Sequence, residues 1–150
     1  MKMKRMKMMI AALIGLATVQ TMRAEETQWM TYQPKAVEIA KAQQKLVLMD
    51  FTGSDWCPWC IKLDKEVFAT PEFKKYAAAN LVLVEVDFPN HKPQPAAVEK
   101  ANRELQEKYN INEFPTVLVL NGDGKTVGKL GYQPGGPASF IAELQKLKKS

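Results

Sequence analysis

The chain has 150 residues, of which 46% are hydrophobic and 25% are charged, as in a soluble globular domain rather than a disordered or fibrous protein. Its formal net charge of +5 raises nucleic acid or an acidic membrane as partners. However, five of the 21 basic residues precede Glu25 and all 16 acidic residues lie from Glu25 onward, which leaves 16 basic and 16 acidic residues in the body and argues against both partners.

Residues 1–24 are predicted to be a secretory signal peptide. A basic start is followed by an uncharged, mostly apolar run over 8–19, and at twelve residues this run is too short to span a bilayer comfortably. Ala24 is the candidate for the last residue of the leader, although Met22 is not small and leaves the cleavage position open. We therefore expect export to the periplasm of a mature domain over 25–150, without stable membrane insertion; an uncleaved anchor or a basic tail is the alternative.

The predicted elements of the body alternate between helices and strands. In chain order we predict a short edge strand within 25–33, a helix over 34–45, a buried strand over 45–51, a helix over 58–69 that restarts at Pro71, and a second buried strand over 81–88. After the proline-rich loop 89–95 we predict a helix over 96–109, a strand over 115–120, a hairpin at NGDG, a return strand over 125–130 and a closing helix from Pro137. Helices between the first strands imply parallel neighbours, and the hairpin adds an antiparallel edge. The class is therefore α/β, with a mixed central sheet and helices on both faces.

The only two cysteines, Cys57 and Cys60, stand where a predicted strand ends and a helix begins. With Cys57 as the N-cap, Pro58 becomes the first helical residue, a position that tolerates proline because its N–H would be unpaired anyway. The sulfur of Cys57 then faces the free N–H groups and the positive end of the helix dipole, which favour the thiolate and can lower a cysteine pKa from about 8.5 to roughly 3.5–7.5. Because the thiolate attacks disulfides, Cys57 is the candidate nucleophile, and Cys60, expected to be more covered, is suited to resolving the mixed disulfide.

Other uses of the cysteine pair are weaker hypotheses. A structural disulfide between the two cysteines would close a very small loop and restrict the unfolded chain little. A structural zinc site needs four ligands, whereas the chain offers two thiolates and His91 in the proline-rich loop. Nothing in the sequence brings His91 near Cys57, as a cysteine hydrolase would require. We therefore predict no metal ion or other cofactor.

Several other residues near the cysteines are candidates for supporting roles. Asp50 ends a buried strand, where desolvation would raise its pKa and allow it to accept the proton of the second cysteine; the alternative is a strand-end aspartate bonded to the turn. Asp55 and Glu85 are weaker candidates for the same duty, and Asp55 is more typical of a turn residue. Trp56 is expected to pack as support, and Trp59 to be exposed as an apolar surface for partner polypeptides.

Together these motifs resemble those of the thioredoxin family. The W-C-x-x-C motif follows a buried strand, Phe114-Pro115-Thr116 precedes another strand, and the NGDG hairpin and final helix are also similar, so the resemblance covers residues 34–149. The stretch DWCPWCIKLDKEVF is similar to exported thioredoxin-like modules and to the thioredoxin-like domain of the membrane reductant transporter, with Phe68 eight positions after the second cysteine. The resemblance implies the thioredoxin fold.

The resemblance also implies roles for individual residues. Cys57 would be the nucleophile, Cys60 the resolving cysteine and Asp50 the buried proton relay. Pro115 would be cis and face the sulfurs, and the backbone of Phe114 would contact a bound substrate strand. The residues assigned to substrate binding by this resemblance and by their position are Trp56, Pro58, Trp59, Phe114 and Pro115.

The chain departs from the thioredoxin pattern in four ways. It has one more residue between Asp50 and Cys57, and Leu83 stands where thioredoxin carries a lysine partner for the aspartate. The middle dipeptide of the motif is Pro-Trp, and proline in that position is similar to glutaredoxins and to the strong periplasmic oxidant. The segment 88–105 is longer than in a minimal thioredoxin and is a candidate for shaping a substrate groove.

The sequence thus favours an exported thiol–disulfide oxidoreductase that exchanges disulfides with cysteine-containing proteins through Cys57 and Cys60. The flanking residues favour a reductant, recharged by a membrane thiol electron donor. Three alternatives stay open: a disulfide oxidant or isomerase, a non-catalytic thioredoxin-like module that binds a client or carries copper, and a redox-sensing interaction domain.

Overall fold

The computed structural model of the chain describes residues 28–149, so the predicted signal peptide at 1–24 lies outside the described residues. The strands are β1 (Trp29–Met30), β2 (Leu46–Thr52), β3 (Leu81–Asp87), β4 (Thr116–Leu120) and β5 (Thr126–Leu130). The helices are α1 (Gln33–Gln43), α2 (Pro58–Leu63), α3 (Pro71–Asn80), α4 (Ala96–Lys108) and α5 (Gly136–Lys148), and a π-helical turn over Asp64–Phe68 continues α2. Each predicted element is present, with ends shifted by a few residues.

The five strands form one sheet in the order β1-β3-β2-β4-β5. The β1–β3 and β2–β3 pairs are parallel, and the β2–β4 and β4–β5 pairs are antiparallel. The hairpin between β4 and β5 turns at Asn121, whose side-chain oxygen accepts the backbone N–H groups of Asp123 and Lys125, both at 3.0 Å. Gly124 takes a φ of +77° in this turn, a conformation that glycine adopts without a steric penalty.

The direction of β4 differs from the simplest expectation, because the sequence predicts antiparallel pairing only at the hairpin. In the structure β4 already runs antiparallel to β2. Phe88, just after β3, stacks on Phe114, just before β4, with ring centroids 5.2 Å apart. The chain therefore leaves and re-enters the sheet at the same end, which reverses the strand direction across the α4 connection.

Two apolar layers cover the sheet, and β2 contributes to both because alternate side chains point to opposite faces. Leu46 and Leu48 pack with residues of α2, the π-helical turn, α3 and α5, whereas Val47, Met49 and Phe51 pack with residues of α1 and the region after α4. Asp50 has the parity of Leu46 and Leu48, so its side chain is on the α2 face. This alternation decides which polar groups can lie beneath the cysteine helix.

The helix starts follow local rules that the sequence makes visible. Proline occupies the first or second helical position of α1, α2, α3 and α5, where its missing N–H costs no hydrogen bond. Thr70 caps α3 by accepting the N–H of Phe73 at 3.3 Å. Within residues 28–149, no helix has the length and apolar character needed to cross a membrane.

Candidate active site

Cys57 and Cys60 are joined by a disulfide, with their Cα atoms 5.2 Å apart. Cys57 is the N-cap of α2 with an extended backbone (φ −90°, ψ 109°), and Pro58 is the first helical residue, as predicted. The Cys57 Sγ accepts the backbone N–H of Cys60 at 3.3 Å. The first sulfur therefore lies at the donor end of a helix, where a negative charge on it would be stabilised when the disulfide is reduced.

The two cysteines are almost equally buried. The exposed fraction is 5% for Cys57 and 4% for Cys60, so Cys60 is the more covered residue, as predicted, by a small margin. The Cys60 Sγ accepts the backbone N–H of Gly53 at 3.5 Å. The two sulfurs are thus distinguished by their hydrogen-bond donors more than by their exposure.

The turn before Cys57 is fixed to the end of β3 by a buried carboxylate. Asp87 accepts the Ser54 backbone N–H at 3.0 Å and the Ser54 hydroxyl at 2.6 Å. Lys92 forms an ion pair with the same carboxylate at 3.0 Å, and this pairing offsets the cost of burying the charge. The turn between β2 and Cys57 is therefore ordered and hydrogen-bonded.

Asp55 holds a second connection between the cysteine turn and the proline-rich loop. Its carboxylate accepts backbone N–H groups from Asn90 at 2.9 Å, His91 at 2.7 Å and Lys92 at 3.1 Å. The bond from Asn90 contributes most to holding the pKa of Asp55 below its ordinary value. Asp55 is a turn residue, as predicted, and it additionally anchors the loop.

Three aromatic rings bring the cysteine turn, the proline-rich loop and the start of β4 together. The Trp56 indole N–H donates to the Phe88 carbonyl oxygen at 2.7 Å, and its ring meets Phe114 edge-on at 6.0 Å. Phe114 also stacks on Phe88, and the Phe114–Pro115 peptide bond is cis, as the resemblance implies. Trp56 remains 40% exposed, so it both supports the site and contributes to its surface.

The other tryptophan lies on an exposed aromatic patch beside the disulfide. Trp59 is 54% exposed, as predicted, and its ring lies 5.0 Å from that of Tyr132. The Lys62 ammonium lies 5.0 Å from both ring centroids, and the Tyr132 hydroxyl donates to Glu66 at 2.8 Å. A tilted aromatic contact and a cation–π contact therefore hold Trp59 in place, while about half of the residue stays exposed to a partner.

Asp50 is buried beneath α2, on the sheet face that the cysteine helix covers. Its exposed fraction is 8%, and its Oδ1 atom is fully buried without a hydrogen-bond partner. Desolvation is the main cause that raises the pKa of Asp50 from 3.8 to about 8, and the nearby carboxylates Glu85, Asp64 and Asp87 act in the same direction. A carboxyl group with such a pKa can exchange protons near neutral pH.

The strand beside Asp50 carries an acidic residue at the paired position. Glu85 is the register partner of Asp50 on β3, whereas Leu83, where the resemblance to thioredoxin implies a lysine, is buried in the apolar core. Glu85 is half-buried, and desolvation is the first cause that raises its pKa. Asp50 therefore has acidic neighbours in place of a lysine partner.

The structure does not bring every candidate of the sequence into the site. The backbone of His91 bonds to Asp55, and its side chain is exposed in the proline-rich loop rather than being paired with a cysteine. Among the residues that the structure describes, no group of three or more histidine, cysteine, aspartate or glutamate side chains is arranged to hold a metal ion.

Sequence reasoning missed four residues that shape the site: Asp87, Phe88, Lys92 and Tyr132. Asp87 and Phe88 end a predicted strand that runs parallel to the strand of Asp50. The carboxyl ends of parallel neighbours lie together, and this rule could have placed Asp87 and Phe88 near the cysteine turn. Lys92 and Tyr132 lie in loops, where nothing in the pattern fixes their partners. The completed arrangement is a helix-capped cysteine pair, a buried carboxyl group and an aromatic surface, which together suit thiol–disulfide exchange.

Comparison with known families agrees with this geometry. Residues 33–148 match the family model described as a thioredoxin-like domain. The chain is 35% identical over 135 residues to the disulfide bond reductase DsbH of Chlamydia pneumoniae, an alignment that covers 90% of this chain and 81% of the relative.

A more distant relative is a larger protein. The chain is 29% identical over 83 residues to the thiol:disulfide interchange protein DsbD of Photorhabdus laumondii, an alignment that covers 55% of this chain and 13% of DsbD. The match therefore concerns a small part of that relative, in accord with the similarity to one thioredoxin-like domain expected from the sequence.

A solved structure shares the fold over nearly the whole chain. A structure titled DsbH oxidoreductase superposes with a TM-score of 0.78 at 34% sequence identity, and the alignment covers 92% of this chain and 95% of that one.

Proposed function

This chain belongs to the thioredoxin-like family and is a thiol–disulfide oxidoreductase, and from this premise we propose that it works as a disulfide reductase outside the cytoplasm. Its substrates are disulfides in other proteins, and Cys57 is the attacking residue. The oxidised pair seen in the structure is the product state of each reaction and is reduced again before the next one.

The direction of electron transfer is carried by the similarity to a disulfide bond reductase over 90% of this chain and 81% of that protein. A match of this extent includes the cysteine helix, the proline-rich loop and the strand after Pro115. The N-cap position of Cys57 supports the same proposal, because a thiolate at a helix start is available for attack at neutral pH.

The reaction proceeds in two exchange steps. The Cys57 thiolate attacks one sulfur of the substrate disulfide, forms a mixed disulfide and releases the other substrate sulfur as a thiolate. Cys60 then loses its proton and attacks the Cys57 sulfur, which closes the Cys57–Cys60 disulfide and releases the second substrate thiolate. Two electrons pass to the substrate, the enzyme dithiol is oxidised, and one proton leaves Cys60.

The surrounding residues divide the remaining tasks. Asp50, buried on the α2 face, takes the proton of Cys60. Trp56, Trp59 and Phe114 provide the apolar surface on which the polypeptide around the substrate disulfide rests, and an extended substrate can pair with the backbone before Pro115.

Continued turnover requires a source of electrons at the same side of the membrane. We assign this role to a membrane thiol donor that reduces the Cys57–Cys60 disulfide by exchange, the chemistry named for the thiol:disulfide interchange protein that this chain resembles in part. The predicted signal peptide at 1–24 supports export, and periplasmic localisation is part of the proposal.

Cysteine substitutions test this function directly. Cys57→Ser is expected to abolish reduction of insulin disulfides, whereas Cys60→Ser is expected to accumulate a mixed disulfide with insulin that a gel without reductant detects. Glu104→Gln on the exposed surface of α4 is a matched control that retains both activities. Full reductase activity in Cys57→Ser would show that Cys57 is not the nucleophile.

A further inference from the structure

Asp50 and Glu85 occupy paired positions on two parallel strands. They are register partners in the β2–β3 ladder, where neighbouring strands lie about 4.8 Å apart. Register partners in a sheet point to the same face, so both carboxyl groups lie on the face that α2 covers. The second carboxyl group is therefore the nearest acidic neighbour that the sheet itself provides for Asp50.

Cys60 lies above the same face. Cys60 and Asp64 are four residues apart along the cysteine helix and so share one side of it, and Asp64 is close enough to Asp50 to raise its pKa. The buried Oδ1 atom of Asp50 has no hydrogen-bond partner, so one oxygen of this carboxyl group is available for a proton. Asp50 therefore shares one sheet face with Glu85, and this face is covered by the helix that carries Cys60.

Both negative and positive side chains surround the carboxyl groups of Asp50 and Glu85. Asp50 is influenced by Asp64 from the cysteine helix and by Asp87 from β3, both of which oppose a second negative charge. Glu85 is influenced by the same two aspartates, while the ammonium of Lys92, which is bonded to Asp87, favours its ionised form. The cation thus lies on the Glu85 side, which is also the less buried side of the pair.

Asp50 alone is a poor proton acceptor for Cys60 at neutral pH. With a pKa of about 8, Asp50 is mostly protonated at neutral pH, and a protonated carboxyl group cannot accept another proton. Glu85 is half-buried and the Lys92 ammonium favours its ionised form, so it is the member of the pair that ionises more readily and the one closer to solvent.

We propose that Asp50 and Glu85 share one proton at neutral pH, and that the proton of Cys60 enters this pair at Asp50 as the shared proton leaves from Glu85 to solvent. This inference rests on the proposed reductase function and adds the route by which its proton departs. In this route Glu85 acts through Asp50, so it is a positioning residue rather than a catalytic one.

The step balances without any further reactant. The S–H bond of Cys60 breaks, an O–H bond forms at Asp50, the O–H proton already held by the pair moves to Glu85, and one proton passes from Glu85 to water. The electron pair left on Cys60 forms the new bond to the Cys57 sulfur, and the leaving substrate sulfur takes the electron pair of the broken mixed disulfide. The carboxyl pair holds one proton before and after the reaction.

Single-turnover kinetics on the reduced full-length protein distinguish a relay from a simple charge effect. An equimolar aromatic disulfide, dithiobis(nitrobenzoate), releases one coloured thiolate when Cys57 attacks and a second when Cys60 attacks, so the second phase reports the proton step. In Glu85→Gln, Asp50 can accept a proton only when Asp50 itself is ionised. The acid limb, the pH range in which the second phase slows on acidification, is therefore expected to move to higher pH. The expected size is about one unit, because two groups that titrate as a pair interact by more than about one pKa unit. If Glu85 only adds a like charge, its removal lowers the pKa of Asp50 and the acid limb moves to lower pH instead.

Matched variants and a direct titration complete the test. Glu85→Asp is expected to restore the wild-type profile, and the exposed Glu104→Gln is expected to leave it unchanged. Carboxyl carbon NMR of the unmodified protein is expected to show two titration steps at both Asp50 and Glu85, whereas a single independent step at each would overturn the inference even if Glu85→Gln failed to fold. An unchanged or acid-shifted second phase in Glu85→Gln also overturns it. If the wild type showed no first phase, Cys57 would not attack the disulfide, and the proposed function itself would be contradicted.

Discussion

The indole N–H of Trp56 donates a 2.7 Å hydrogen bond to the backbone carbonyl of Phe88. This bond joins the residue before Cys57 to the first residue after β3. Together with the three N–H bonds that Asp55 accepts, it makes the cysteine turn and the proline-rich loop one connected surface.

Removing the Asp55 carboxylate is expected to loosen the proline-rich loop. In Asp55→Ala, the backbone amides of Asn90, His91 and Lys92 lose their common acceptor, so their hydrogen exchange is expected to be faster than in the wild type. Asp55→Asn, which keeps one side-chain oxygen, is expected to give an intermediate rate. Native-state hydrogen exchange measured by NMR checks both.

The exposed Asp123 on the β4–β5 hairpin offers the control for this loop experiment. Asp123→Ala removes a surface ion pair with Lys41 and should leave the three amides of the proline-rich loop unchanged. Because hydrogen bonds hold the pKa of Asp55 below its ordinary value, the loop contacts should persist on acidification until the pH falls through that lowered value. Equal exchange in wild type and Asp55→Ala would remove Asp55 from this role.

Asp50 should make the stability of the domain depend on pH in an unusual direction. Its native pKa is raised from 3.8 to about 8, so between these values the native state binds more protons than the unfolded state, and stability falls as the pH rises. At about 1.4 kcal/mol for each pKa unit, the free energy of unfolding falls by at most on the order of 6 kcal/mol between these two values, and the loss is complete above pH 8.

The variant Asp50→Asn is neutral at all these pH values and should lose most of that slope. Denaturant unfolding at pH 4, 6 and 9 is expected to give similar stabilities for wild type and variant in acid, and a more stable variant at pH 9. The exposed Asp123→Asn serves as the control. Parallel stability curves for wild type and Asp50→Asn would mean that Asp50 has an ordinary pKa in the folded protein.

Trp59 is expected to act on polypeptide substrates in particular. It is 54% exposed and held against Tyr132, so Trp59→Ala removes apolar contact area without opening the core. We expect KM for insulin to rise about fivefold, the effect of an interface side chain that contributes about 1 kcal/mol. The effect on glutathione disulfide should be smaller, because that substrate has little polypeptide to rest on the ring.

A neighbouring exposed side chain separates this role from general apolarity. Ile61 is 46% exposed on the same helix but lies outside the Trp59–Tyr132 contact, so Ile61→Ala should change KM for insulin less than Trp59→Ala does. Steady-state kinetics on both substrates make the comparison. Equal losses on insulin and glutathione disulfide in Trp59→Ala would assign the ring a structural role.

The features of the fold that depend on residues close together in the sequence could be predicted. Cys57 as N-cap and Pro58 as first helical residue follow from local rules, and the apolar run of β2 identifies a buried strand. The opposite direction of β4 could not be predicted, because it depends on where the chain returns to the sheet after α4. The Phe88–Phe114 stack records that return.

The site residues differ in the same way: some follow from the local sequence, and others depend on the tertiary structure. The position of Asp50 before the cysteines is visible in the sequence, but the presence of Glu85 beside it depends on the register of β2 and β3. Asp87 and Lys92 likewise become partners only once the strand end and the loop are in place. Tertiary register, which no local pattern specifies, supplies most of the electrostatic environment of the redox pair.

The reduction potential of the Cys57–Cys60 pair tests the proposed direction of electron transfer most directly. Equilibration of the purified protein with glutathione or dithiothreitol buffers, followed by trapping of free thiols, gives this value. A reductase is expected to lie near the thioredoxin value of about −270 mV. A potential near about −120 mV, the value of a strong oxidant, would contradict the proposal that this protein delivers electrons to its substrates.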